Sequence, residues 1–164
     1  MTNRERWVMG LTAIASLMVA LDVTVVATAL STIRLHLKAS ISELEWTVNA
    51  YSLSFAVLLM TGSALGERFG RRRLFAAGLG LFAAASAACA LAPNVGLLIA
   101  ARAVQGAGAA VIAPVSLALL SAAFPPQRRG AALGIFGGIT GLAVLGGPVV
   151  GGAVTQGMAW EWIF

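Results

Sequence analysis

Charge is what this sequence has least of. Only 10% of its 164 residues are Asp, Glu, Lys or Arg, against about a quarter in an average soluble domain. So few charges cannot cover a water-solvated surface, which excludes a soluble globular domain. Cysteine is nearly absent as well. The single Cys89 excludes an internal disulfide and any multi-cysteine metal site. A lone thiol in an apolar run is a small packing residue. His36 is the sole histidine. With no His-Glu metal motif, no nucleophile elbow and no acid pair, the sequence does not support an enzyme. No stretch alternates long enough to build a transmembrane barrel. What remains is apolar: 59% hydrophobic residues and a mean hydropathy of +0.91. The expected class is an all-α integral membrane protein.

A membrane-spanning helix needs about 20 apolar residues. Five segments qualify, over residues 7–30, 46–65, 74–91, 95–120 and 131–155. Short connections make successive spans antiparallel neighbours. Ala92–Asn94 forms a tight turn, and the two prolines of Phe124–Gly130 break the chain before the fifth span. Ser-x-x-Glu occurs twice before the second span, as Ser40/Glu43 and Ser42/Glu45, a helix-start signal. The first span is too long for a signal-peptide core and carries an acid.

The basic residues give the orientation. Eight of the eleven lie at the N-terminus or in the second and fourth connections: Arg4, Arg6, Arg68, Arg71, Arg72, Arg73, Arg128 and Arg129. The first connection holds Arg34 and Lys38, and Arg102 lies inside a span. The positive-inside bias puts the N-terminus in the cytoplasm. Trp46, Trp160 and Trp162 then fall at the outer interface, where aromatic anchors belong. The basic residues are thus a topology code and not a nucleic-acid patch. His36 is placed in a solvated outer loop.

Three constellations carry chemistry. Asp22 and Arg102 are the acid and the base within the spans. Counting from the outer ends at 1.5 Å per residue puts them at similar depth, about 12 and 10 Å. Asp22 has Met18, Val19, Val25 and Val26 on its own face, so its partner comes from another helix or from water. Gln105 and Gly106 share the face of Arg102. Two readings stand: a structural ion pair, or a proton site, since burial disfavours the ionised carboxyl and a cation favours it. The second constellation is Thr61–Phe75, with Gly66, Glu67, Arg68, Gly70, Arg71, Arg72 and Arg73, expected as a turn of about eight residues. It is either positive-inside decoration or a charge-paired latch. The third is Gly134–Val154, where glycines recur four apart at 134/138, 137/141 and 147/151, with Pro148 favouring a kink. It serves close helix packing or a gating helix.

In this order, these motifs resemble the major facilitator superfamily, most of all its 14-helix drug:proton antiporter branch. Leu65–Arg73 is similar to the family's loop between helices 2 and 3. Arg102, Gln105, Gly106 and Gly108 match its helix-4 motif, and Gly147, Pro148, Gly151 and Gly152 its helix-5 antiporter motif. Leu21, Asp22, Thr24, Val26, Ala29 and Leu30 resemble the branch's helix-1 motif. Glu67 stands where the loop usually has aspartate, Ser63 at its leading glycine, Ala27 and Ser31 at a helix-1 asparagine and proline, and Ala143 at the leading glycine of helix 5.

The resemblance implies export of cationic or lipophilic small molecules by alternating access in the plasma membrane. It implies a proton gradient as energy source, with no cofactor and no metal. Asp22 would carry the proton, Arg102 would tune it with Gln105 beside it, Glu67 and the arginines would latch the cytoplasmic side, and helix 5 would limit proton leak. The chain would be an incomplete N-terminal domain whose partners are the bilayer, the substrate, protons and the C-terminal helices of the same protein. The alternative is a non-transporting remnant, or a small helical membrane protein that associates with other helices.

Overall fold

The computed structural model describes residues 1–157 and 160–164, the side chains of 155–157 excepted. Five helices follow one another: α1 Asn3–Leu37, α2 Ile41–Phe69, α3 Arg71–Ala90, α4 Val95–Ala123 and α5 Pro126–Gly157, then a 3-10 turn, Trp160–Ile163. All five are long and apolar enough to cross a membrane. The expected all-α membrane architecture is the observed one.

Local chemistry sets the helix ends. Thr2 caps α1, its hydroxyl accepting from the Glu5 amide at 3.2 Å while Glu5 accepts from the Thr2 amide at 2.8 Å. Ser40 and Glu43 cap α2 in the same reciprocal way, so the first of the two overlapping Ser-x-x-Glu signals is the one used. Asn94 accepts from the Leu97 amide at 2.9 Å to start α4. Pro126 occupies the first position of α5, where a missing N–H costs nothing.

These caps lie outside the apolar runs, so the helices outreach the expected spans. α1 has 35 residues, about 52 Å at the helical rise. His36 therefore sits in the last turn of α1, exposed, and not in a loop. The eight-residue turn between the second and third spans contracts to one residue, Gly70, at φ 92°. Only glycine takes that backbone conformation without steric cost.

α4 is the centre of the bundle. It packs most extensively on α2 and α3 and also on α1, while α5 lies mainly along α1. In lipid, close approach replaces the hydrophobic effect as the packing force, and the run Gln105–Ala110 supplies it. A Cβ on Gly106 would strike the Tyr51 carbonyl and Ser54 of α2. A Cβ on Gly108 would come within 2.9 Å of the Phe82 amide of α3. Residues two apart point to opposite sides of a helix, so one short segment of α4 admits both neighbours. Large apolar side chains such as Val57, Met60, Leu145 and Val149 face outward, where acyl chains would meet them. Trp46 and Trp162 are exposed as interface anchors should be, but Trp160 is buried in a cluster with Ala29, Ile33, Cys89 and Leu98. The 3-10 turn folds it inward.

This packing fixes the sign of two alanine substitutions. Gly80 has open space around it, so Gly80→Ala should leave the thermal unfolding midpoint in detergent unchanged or slightly higher, since alanine favours helix by up to about 1 kcal/mol. Gly106→Ala should lower it, because overpacking against backbone costs about 1–3 kcal/mol. Equal midpoints would show that α2 and α4 do not meet at Gly106.

Candidate functional site

Asp22 and Arg102 meet. α1 presents Asp22 to α4, where Arg102 Nη1 donates to Asp22 Oδ2 at 2.6 Å and Gln105 Nε2 donates to Oδ1 at 2.8 Å. The same Nη1 also donates to Gln105 Oε1 at 2.7 Å. Spacing explains the arrangement: Arg102 and Gln105 are three residues apart, so one helix face offers both groups to one carboxylate. Asp22, Arg102 and Gln105 are 7%, 2% and 0% exposed, and an ion pair so dry needs its other lone pairs and protons satisfied.

Thr47, Tyr51 and Ser86, which the sequence did not single out, provide that satisfaction, together with Cys89, expected only to pack. The Arg102 Nε donates to the Thr47 carbonyl of α2 at 3.4 Å. Its Cζ lies 4.4 Å from the centroid of the Tyr51 ring, one helical turn further along α2. On α3, Ser86 Oγ accepts from Gln105 Nε2 at 3.3 Å, and Cys89 Sγ donates to Gln105 Oε1 at 3.7 Å. Four helices thus converge on one charge pair. The signals were faint: Thr47 contributes only backbone, and Tyr51, the one tyrosine, stands among the small polar side chains Thr47, Asn49, Ser52 and Ser54. Arg102 retains Gln105 Oε1, the Thr47 carbonyl and the Tyr51 ring as partners that do not depend on the charge of Asp22. Asp22 itself borders an apolar cavity of about 560 Å³ between α1, α3, α5 and the final turn.

At the arginine-rich end the charge pairing that a latch would need is not made by Glu67. Glu67 lines a small cleft with Arg71, Pro114 and Ala118, yet among the described residues no ion pair joins Glu67 to an arginine. Arg71 Nη1 instead donates to the Ala118 carbonyl of α4 at 3.2 Å. The one-residue break at Gly70 starts α3 at once and carries Arg71 toward α4. Arg68 lies over the Phe69 ring at 5.5 Å, and Arg72 and Arg73 line an open groove with Glu67, Arg68 and Gly70. An ion pair that sequence reasoning did not anticipate does form at this end. Arg128 Nη1 approaches Glu5 Oε2 at 3.5 Å, joining the starts of α5 and α1.

Of the three glycine pairs on α5, only 147/151 is an interface. A Cβ on Gly147 would run into Thr24, and one on Gly151 into Thr28 and Val25. Two glycines four apart accept two threonines four apart. The hydroxyls of those threonines donate within α1, Thr24 to the Leu21 carbonyl at 3.0 Å and Thr28 to that of Val25 at 2.7 Å. Gly134, Gly137, Gly138 and Gly141 have no neighbour where a Cβ would sit. Pro148 lies inside α5 on its exposed side, and half-buried Gly152 follows Gly151.

The sequence is similar to known resistance and export proteins. The chain is 40% identical over 152 residues to the tetracenomycin C resistance and export protein of Streptomyces glaucescens, covering 93% of this chain and 28% of that protein. It is 45% identical over 157 residues to a methylenomycin A resistance protein of Streptomyces coelicolor, covering 94% and 33%. It is 39% identical over 160 residues to the puromycin resistance protein of Streptomyces alboniger, covering 97% and 32%. The chain therefore spans about a third or less of the length of these relatives. The sequence profile of the Major Facilitator Superfamily matches residues 12–164, nearly the whole chain: it belongs to this family of membrane transporters.

Proposed function

We propose that this chain is the first part of the N-terminal domain of a drug exporter, which moves small lipophilic or cationic compounds out of the cell in exchange for protons by alternating access. The observation that carries the reading is the buried Asp22–Arg102–Gln105 cluster, because an acid held inside a bilayer-spanning bundle is a functional group by default. The resistance and export named for the relatives support the substrate class. The charge bias supports a cytoplasmic N-terminus, and the plasma membrane follows from export.

In this reading Asp22 carries the proton. When the carboxyl is neutral, Arg102 rests on the Gln105 oxygen, the Thr47 carbonyl and the Tyr51 ring, so protonation does not strand a buried cation. When the carboxyl is ionised, both of its oxygens are held. Two states of one site are thus each satisfied, as a reversible proton carrier requires. Glu67 and Arg68–Arg73 form the cytoplasmic gate, with the acid available to pair with helices of the rest of the protein. The open glycine face at Gly134, Gly137 and Gly141 is where further helices would pack.

Two outcomes are expected of the complete transporter. Asp22→Asn should insert in the membrane but lose proton-coupled export in inverted vesicles; drug/proton exchange at the unmutated rate would refute the assignment. Gly147→Val should push α5 off Thr24 and collapse an imposed pH gradient several-fold faster without drug, read with a pH-sensitive dye. An unchanged leak would show that the α1–α5 contact does not seal the proton route.

A further inference from the structure

Ser86 has a single proton to give, and it gives it away from the charge pair. From α3 its hydroxyl donates to the Phe164 carbonyl of the final turn at 2.7 Å. Toward Gln105 the oxygen can then only accept, and it accepts from Nε2 at 3.3 Å. A side-chain amide has two unlike ends, an NH2 that donates and an oxygen that accepts. With one Nε2 proton on Ser86, the other meets Asp22 Oδ1 at 2.8 Å, and Oε1 is left to accept from Arg102 Nη1 at 2.7 Å and the Cys89 thiol at 3.7 Å. Turned over, the amide would set its oxygen against a Ser86 oxygen with no proton to offer it. The turn that takes the Ser86 proton is itself anchored. Trp160 is 3% exposed, and its ring meets that of Phe164 edge-on, 89° apart in plane with centroids 6.3 Å apart. The Phe164 ring also lies 5.9 Å from Arg102 Cζ. Through Trp162, Ile163 and Phe164 the same turn walls the cavity that Asp22 borders.

We propose that Ser86, braced by the Phe164 carbonyl, is a positioning residue that fixes the Gln105 amide and so makes proton release from Asp22 depend on docking of the final turn. This rests on the transport reading above. A neutral carboxyl has an O–H that seeks an acceptor, and the amide oxygen is an acceptor beside it. Without the brace the amide can turn over to that O–H, which favours the protonated acid and takes Oε1 from Arg102. With the brace the amide keeps its N–H on Asp22 and its oxygen on Arg102, which favours the carboxylate. Withdrawal of the turn removes the brace and one wall of the cavity together. A proton from water then binds the carboxylate. When the turn docks again, that proton passes from the carboxyl to water on the cytoplasmic side. Uptake thus belongs to the state open at the turn and release to the state closed there, the order that inward proton flow needs. The titratable and charged groups facing the amide are Asp22 from α1, Cys89 from α3 and Arg102 from α4, with Tyr51 of α2 beyond the guanidinium. α5 carries no charged residue past Arg129, and Glu161 of the final turn makes no ion pair among the described residues.

The test uses the complete transporter in detergent and follows the infrared carbonyl band of the protonated carboxyl against pH, assigned to Asp22 by its loss in Asp22→Asn. Ser86→Thr and Ser86→Val have nearly the same shape and differ by one hydroxyl. Ser86→Thr should titrate at the midpoint of the unmutated protein. Ser86→Val should titrate about half a pH unit or more higher, the worth of one hydrogen bond. Trp160→Ala, which frees the turn, should move the midpoint in the same direction, and adding Ser86→Val to it should move it little further. A midpoint in Ser86→Val equal to or below that of Ser86→Thr would overturn the role of Ser86. Ser86→Ala, smaller than serine, decides by the same comparison should Ser86→Val not accumulate. A shift in Ser86→Val with none in Trp160→Ala would overturn the part given to the turn. If the unmutated protein shows no titrating band that Asp22→Asn removes, the transport reading beneath the proposal is itself overturned.

Discussion

A guanidinium without water must find every partner inside the protein. Arg102 is the largest of the fully buried side chains, it cannot shed its charge, and the bilayer offers it nothing. Much of the bundle's arrangement follows from that requirement. Asp22 must come from α1, a carbonyl and a ring from α2, and the groups that hold Gln105 from α3. Replacing such a pair by apolar residues would cost little, whereas losing one partner costs about 3–5 kcal/mol. The pair therefore ties the helices to one register more than it deepens stability.

Bringing three helices to the Arg102–Gln105 face of α4 demands that their backbones come close. The glycines of α4 meet that demand near the charge. Gly106 follows Gln105 and admits α2 at Tyr51, and Gly108 admits α3 at Phe82. Without the first contact the Tyr51 ring could not reach Arg102. Polar site and small-residue packing are thus one design: the glycines set the distances across which the hydrogen bonds form.

Much of this was legible in the sequence, and the limits have physical causes. Apolar length revealed the number of helices, since hydrocarbon thickness dictates it. It could not give their ends, which depend on caps such as Thr2 and Ser40 that lie outside the apolar runs. Depth counting brought Asp22 and Arg102 together because straight helices conserve depth. It was blind to rotation about the helix axis, so Thr47, Tyr51 and Ser86 were not singled out, and Cys89 was read only as a packing residue. Glycine spacing alone overcounted interfaces: three pairs share the pattern, and only 147/151 faces threonines. The arginine-rich turn was legible in composition but not in pairing. Whether Glu67 takes Arg71 depends on where α3 begins, and a single left-handed residue, Gly70, decides that.

α1 unites these elements. Its two faces near the middle of the bundle serve different partners: Asp22 goes to α4, and Thr24 and Thr28, on another side, to the glycines of α5. Both contacts are steric or ionic and close-fitting, so neither tolerates a large independent shift. A rotation of α1 that withdrew Asp22 from Arg102 would drive Thr24 against or away from Gly147. The Asp22–Arg102 pair and the close α1–α5 contact are therefore mechanically linked through the helix they share. Under the proposed exchange with protons, that linkage would let the carboxyl change state only as the wall beside it moves.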